Sequence, residues 1–177
     1  MSAGGAGPLR ILVTGAAGSG TSTLAAALAR ELSGIAIEAD DLYWLPTTPP
    51  YRERRPAEAR RALACDALSA PGPVVVAGSV MGWGSAIEDA FDLVVFLQVP
   101  TALRLERLRR RELQRFGRVD EAFLRWAADY DTGTTEGRDL ASHLAWLEAR
   151  AAQRVTVAGR FTVDEAVARV LGASGAG

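Results

Sequence analysis

Hydrophobic positions along the chain follow two rhythms. Short, predominantly apolar runs fall at Leu9–Val13, Ile35–Ile37, Val74–Ala77, Leu93–Val99 and Val155–Val157. Runs of this length and evenness predict strands covered on both faces. Between them, apolar residues return every three or four positions, as on one face of a helix. Leu24, Leu28 and Leu32 predict a helix over 24–32, ended by Gly34. Pro56 suits the first turn of a helix running to Ser69, which Pro71-Gly72-Pro73 stops. Further helices are predicted from Thr101 as cap, over 120–130, over 138–150 with Leu140, Leu144 and Leu147 inward, and over 163–171 capped by Thr162 or Asp164. Strands alternating with helices predict an α/β domain, a parallel sheet with helices on both faces.

Composition narrows this picture. The chain has 177 residues, 49% hydrophobic and 23% charged, with a net charge of -1. One globular domain is expected. The charge balance argues against nucleic acid as partner. The apolar runs are far too short to span a bilayer, so no membrane association is expected. The single cysteine, Cys65, excludes an intramolecular disulfide and fits a reducing, cytoplasmic setting; it reads as a small buried residue. Met1 to Pro8 reads as a flexible start and Gly172 to Gly177 as a frayed tail.

The candidate chemistry begins where the first strand ends. Gly15-Ala16-Ala17-Gly18-Ser19-Gly20-Thr21-Ser22-Thr23 lies between a predicted strand and a predicted helix. A glycine-rich turn in that position brings backbone N–H groups and a helix N-terminus to bear on phosphate oxygens. Gly15, Gly20 and Ser22 match the pattern G-x-x-x-x-G-K-[ST], with Ser22 as the hydroxyl for Mg²⁺. The lysine position holds Thr21. Two readings stand: a degenerate loop, or a variant loop whose positive charge comes from elsewhere. The 20 basic residues are all arginine, and drift from lysine to arginine would have kept a charge that Thr21 lacks.

The second predicted strand delivers Glu38, Asp40 and Asp41, then Tyr43 and Trp44, then a proline-rich loop, to the sheet edge where ligands bind. One reading makes Asp40 or Asp41 a helix cap with the aromatics as core. The other makes Asp40 the base that takes a proton from an acceptor hydroxyl, with Asp41 in reserve and Glu38 near the metal. Arg52, Arg54 and Arg55 follow, and Arg55 is a candidate for holding an anionic acceptor. After the third strand, Gly78 and Ser79 permit close approach of a ligand. Trp83 either stacks on its ring or caps the core.

Seven arginines fall between 104 and 118. A basic segment that closes over triphosphate would use them to neutralise charge in the transferring phosphoryl group, with Arg107, Arg111 and Arg115 as candidates. Gly159 and Arg160, after the fifth strand, sit where backbone groups face an adenine ring. His143, the only histidine, reads as a surface or capping residue rather than a catalytic one.

These pieces together resemble the small P-loop kinases of the adenylate kinase-like group, which includes nucleoside, shikimate and gluconate kinases. In particular they resemble bacterial proteins described as adenylate kinase-related or as ATPases. The resemblance covers about residues 9–172 and rests most on Gly15–Thr23 and Asp40–Thr47. Phosphoribulokinases likewise place a threonine at the lysine position. In uridine kinase-like enzymes an Asp, then a small residue, an apolar residue and an aromatic supply the base; Asp40, Asp41, Leu42 and Tyr43 fall in that order. The resemblance implies a five-stranded sheet in order 2-3-1-4-5, a lid and acceptor-side helical region over about 104–150, MgATP (GTP remaining open) and a small acceptor with a hydroxyl or phosphate. Tyr43, Trp44 and Trp83 favour a nucleoside or nucleotide. The expectation is a phosphotransferase, monomeric or homodimeric. Its alternatives are a nucleotide-binding regulator or slow NTPase, and a relic that binds no nucleotide.

Overall fold

The computed structural model describes residues 7–133 and 138–175. The first six residues of the expected flexible start, positions 134–137 of the expected loop and the last two residues of the tail lie outside them. Five parallel strands form one sheet in the order β2-β3-β1-β4-β5, the order the resemblance implied. They are β1 (Arg10–Gly15), β2 (Ile35–Glu38), β3 (Val74–Ala77), β4 (Leu93–Gln98) and β5 (Gln153–Ala158).

The helices are α1 (Thr21–Glu31), α2 (Ala39–Tyr43), α3 (Ala57–Leu68), α4 (Ser85–Glu88), α5 (Thr101–Phe116), α6 (Glu121–Ala128), α7 (Leu140–Glu148) and α8 (Val163–Ser174). A 3-10 turn, Asp129–Asp131, follows α6. Side chains alternate across β1, so its unbroken apolar run feeds two cores. Ile11 and Val13 pack with Leu24 and Leu28 of α1 and Ala166 and Val170 of α8. Leu12 packs on the other face with Trp83, Ile87, Phe96 and Leu147.

Several local expectations change. Gly34 is not the left-handed residue that ends α1; Ser33 is, at φ 51°. The Gly34 N–H donates to the Ala29 carbonyl at 2.8 Å and the Ser33 N–H to that of Arg30 at 3.2 Å, a Schellman stop. Glycine is needed at 34 for another reason: a Cβ there would lie 2.4 Å from the Pro73 carbonyl oxygen. Thr101 is not the cap of its helix but its first residue, after Pro100. The helix predicted from 138 starts at 140, because Asp139 and Ser142 form a capping box. Thr162, with Glu165, makes the same box for α8. Cys65 is exposed, against expectation. Its neighbour Ala64 takes the buried position on α3, and one residue further turns the side chain out.

Candidate active site

Phosphate groups would meet the start of α1. Its N-cap, Gly20, is left-handed at φ 96°, and no side chain caps it. The Leu24 N–H is the first to reach back, to the Gly20 carbonyl at 3.0 Å. The N–H groups before it therefore face the hollow of the loop at the positive end of the helix. Ser19 departs from its expected role. It is buried, and both its N–H and its hydroxyl donate to the Ala16 carbonyl, at 3.1 and 2.6 Å. It holds the loop's shape instead of facing a ligand. At Gly18, φ is 82° and a Cβ would lie 2.7 Å from the Arg104 carbonyl oxygen, so only glycine lets α5 pack against the loop.

The loop is tied to the acceptor side by one hydrogen bond. The Ser22 hydroxyl donates to Glu38 Oε2 at 2.9 Å. Glu38 ends β2, and α2 starts at once with Ala39 buried against Gly78. A Cβ on Gly78 would lie 3.0 Å from that of Ala39, so the small pair seats α2 and turns Asp40 and Asp41 outward. Burial against the cleft wall is the main force raising the Glu38 pKa; Asp41 and Asp40 add to it and the Ser22 bond opposes it. Asp40 reaches solvent, yet its surroundings displace enough water to raise its pKa too; Arg138 opposes that shift, Asp41 adds to it, and Trp44 and Arg111 oppose it. Carboxylates held toward neutrality beside one another suit proton exchange.

Of the expected acceptor wall, Tyr43, Trp44 and the loop beyond stay at the cleft. Trp44 and Arg54 form an isolated antiparallel bridge, flanked by hydrogen bonds from Leu45 N–H to the Glu53 carbonyl and from Arg55 N–H to that of Tyr43. This ribbon carries Tyr51 to the far end of α5, where Arg115 donates to its hydroxyl at 3.3 Å. Two candidates are corrected. Trp83 is 4% exposed and covered by Tyr43, so it caps the core and has no face for a substrate ring. Arg55 donates to the carbonyls of Leu42, Asp41 and Trp44, closing the end of α2 instead of facing an acceptor. The Ser79 hydroxyl accepts from the Met81 N–H at 3.3 Å, shaping the turn after β3.

The arginines of α5 divide by position. Arg104 is buried and saturated: it donates to the carbonyls of Val99, Ala17 and Ala127, to Thr101 Oγ1, and to Asp131. The first turns of α5 are therefore anchored under the phosphate loop and are no part of a closing segment. Arg107, one turn on, brings Nη1 to 3.5 Å from the carbonyls of both Gly18 and Ser19 and lies over Gly20. Arg111 is close enough to Asp40 to draw its pKa down. Beside Arg107, a hollow of about 320 Å³ is lined by Leu103, Arg107, Arg160, Phe161, Thr162 and Glu165. Gly159 does not line it, and its N–H donates to the Gln98 carbonyl at 2.9 Å. A hollow of equal size at the opposite sheet edge is lined by Glu88, Asp89 and Arg150, which already pair with one another.

His143 is neither on the surface nor a cap. It is fully buried, with Nδ1 2.7 Å from the Tyr130 hydroxyl and Nε2 3.1 Å from Thr14 Oγ1. Burial, with Arg138 adding, lowers its pKa to about 3, so the ring is neutral. Burial pushes the Tyr130 hydroxyl up to about 12. The three residues brace the last residue before Gly15 against the 3-10 turn.

Sequence reasoning missed Arg60 and Arg138. Arg60 lies over the rings of Tyr43 and Trp83, at 4.8 and 5.0 Å. Arg138 sits near Asp40 and Tyr130, with its pKa lowered by burial. No local signal marks either: one is an arginine among several on a predicted helix, the other precedes a cap.

A divalent cation fits the oxygens present. Ser22 and Glu38 are hard donors, and no group of three or more His, Cys, Asp or Glu side chains among the described residues could hold an ion unaided. That set suits Mg²⁺, which takes one or two protein oxygens and completes its shell with phosphate and water.

The sequence model of the AAA domain family matches residues 11–122. Uncharacterized protein YqaC of Bacillus subtilis (strain 168) is 37% identical over 171 residues, covering 91% of this chain and 94% of that protein. A gluconokinase from Sinorhizobium meliloti 1021 superposes with a TM-score of 0.60 at 20% identity, covering 96% of this chain and 93% of its own. A shikimate kinase from Bacteroides thetaiotaomicron does so at 0.58 and 20%, covering 93% and 97%. A shikimate kinase from Acinetobacter baumannii, in complex with shikimate, gives 0.59 at 17%, covering 93% and 91%. These likenesses show the fold of the small P-loop kinases. Among the described residues no helix is long and apolar enough to cross a membrane.

Proposed function

The chain belongs to the AAA domain family, and from that footing we propose that it transfers the γ-phosphoryl group of ATP to a hydroxyl of a small acceptor. One observation carries the reading: the Ser22–Glu38 hydrogen bond joins the uncapped start of α1 to the cleft that holds Asp40. Phosphate site and candidate base thus share one sheet edge.

The acceptor oxygen attacks the γ-phosphorus as the bond to the β,γ-bridging oxygen breaks, and that oxygen leaves on ADP with the electron pair. Asp40 takes the acceptor's proton, and its raised pKa makes it a better base for a hydroxyl than an ordinary carboxylate. Ser22 and Glu38 would hold Mg²⁺, which neutralises phosphate charge when bound. Arg107 supplies the charge that Thr21 does not, because its guanidinium already lies over Gly20. Arg111 and Arg115 extend that charge along the cleft. The base of the nucleotide occupies the hollow between Arg107 and Arg160. The preference for a nucleoside acceptor now rests on Tyr43 and Trp44 alone.

ADP release from MgATP, measured with and without pooled acceptors, tests the proposal. Stimulation by a pool supports phosphotransfer. A melting temperature raised by MgATP with no stimulation by any pool moves the protein toward the regulator or slow NTPase.

A further inference from the structure

His143 is fully buried, and the phosphotransfer step makes no use of it. Its neighbours are aromatic: the Phe96 ring centroid lies 5.0 Å away, that of Tyr130 6.1 Å and that of Trp146 6.3 Å. In such surroundings an apolar ring would pack with no polar group to desolvate. The imidazole instead engages both its nitrogens, Nδ1 with the Tyr130 hydroxyl at 2.7 Å and Nε2 with Thr14 Oγ1 at 3.1 Å. A neutral ring has one donor and one acceptor, so the two hydroxyls must complement each other through it. Buried polar groups matched in this way hold a single arrangement.

What they hold is the entry of the phosphate loop. Thr14 immediately precedes Gly15 and is the only polar side chain between Ile11 and Gly15. In the ladder with β4 it lies opposite Phe96, and Gly15 lies opposite Leu97. Gly15 has no slack: a Cβ there would lie 2.7 Å from both the Leu97 carbonyl oxygen and Ser19 Oγ. A shift of Thr14 therefore passes into the loop backbone, whose N–H groups would receive phosphate. The far end of the line is the 3-10 turn, Asp129–Asp131. That turn reaches the loop a second time, because Asp131 accepts from Arg104, whose Nη1 donates to the Ala17 carbonyl at 3.3 Å. The loop is thus held at residues 14 and 17 from one turn that is distant in sequence from both.

We propose that His143 is a positioning residue: through Thr14 and Tyr130 it fixes the phosphate loop in the geometry that receives the phosphates of the nucleotide. The proposal rests on the phosphate loop of the phosphotransfer reading, but its readout is the binding of MgATP, which needs no acceptor. The Kd for MgATP, from titration calorimetry, is compared across variants. His143→Phe should raise it roughly 3–30-fold, the range for a change that acts through packed neighbours. Tyr130→Phe and Thr14→Val each remove one hydroxyl at nearly constant shape and should raise it too; they carry the test if His143→Phe does not fold. His143→Gln puts an amide near the place of Nε2 and His143→Asn near that of Nδ1, so Gln should keep more affinity, because only Gln reaches Thr14. Added to Thr14→Val, His143→Phe should cause little further loss. Leu147→Ala, buried one turn further along α7, controls for stability alone: it lowers the melting temperature and leaves the Kd unchanged. Affinity lost in this pattern, with no acceptor pool raising ADP release, would keep the positioning role and remove the phosphotransfer reading. Wild-type affinity in the folded variants of the three residues overturns the proposal. So does an equal loss in Leu147→Ala, more affinity in His143→Asn than in His143→Gln, or no binding of MgATP by the wild-type chain.

Discussion

Two polar clusters flank the phosphate loop, built from similar residues and left in opposite states. Behind it, Thr14, His143 and Tyr130 form a closed network, and Arg104 donates to oxygens on every side. In front of it, Glu38 and Asp40 have pKa values pushed up, and among the described residues the buried Nε atoms of Arg60 and Arg138 have no hydrogen-bond partner. A satisfied buried network holds one structure in place. An unsatisfied one stores interactions for a ligand. On the proposed function, stability is expected of the rear cluster and chemistry of the front, and each half of that division can be broken separately.

Asp40→Asn should have the largest effect. Acceptor-dependent ADP release falls by ~10²–10⁴, while binding of MgATP persists. Its melting temperature at neutral pH does not fall. The raised pKa means the folded protein holds the carboxyl proton more tightly than the unfolded chain does. Stability is therefore lost, not gained, as pH rises through that window, and an uncharged isostere is tolerated. A variant that turns over normally removes Asp40 from the role.

Arg104→Ala comes next, as a loss of about 2–4 kcal/mol in urea unfolding, from lost packing and abandoned carbonyls. His143→Phe should cost about 1–3 kcal/mol by leaving the Thr14 and Tyr130 hydroxyls unpaired. Its pH dependence is the sharper readout. The folded pKa of about 3 lies below the ordinary 6.5, so the unfolded chain takes up a proton first on acidification. Wild-type stability then declines below pH 6.5 by up to about 1.4 kcal/mol per pH unit, and the variant shows a shallower decline. Arg109→Ala is the smallest change: its pair with Glu121, at 2.9 Å, is exposed on both sides, and less than about 1 kcal/mol is expected.

Much of the front cluster was legible. Gly15, Gly20, Ser22 and Asp40 follow strand ends, and strand ends are set by local apolar runs. The parallel sheet followed from the same runs. Arg107 stood out because it lies in an arginine-dense helix one turn from Arg111. The rear cluster was hidden, because His143 and Thr14 are 129 positions apart and nothing in either neighbourhood points to the other. Trp83 and Arg55 carry residue types that serve a site or a scaffold equally well; the choice followed from what α2 placed against them.

The sequence by itself determined the strands, the phosphate loop and the carboxylates at the sheet edge, because these depend on patterns within a few residues. Only the tertiary structure decided which arginine is which. Arg104, Arg107, Arg60 and Arg138 have the same side chain and the same charge. One is saturated under the loop, one lies over it, and two have a buried Nε without a hydrogen-bond partner among the described residues, because packing between distant segments sets how many oxygens each guanidinium can reach.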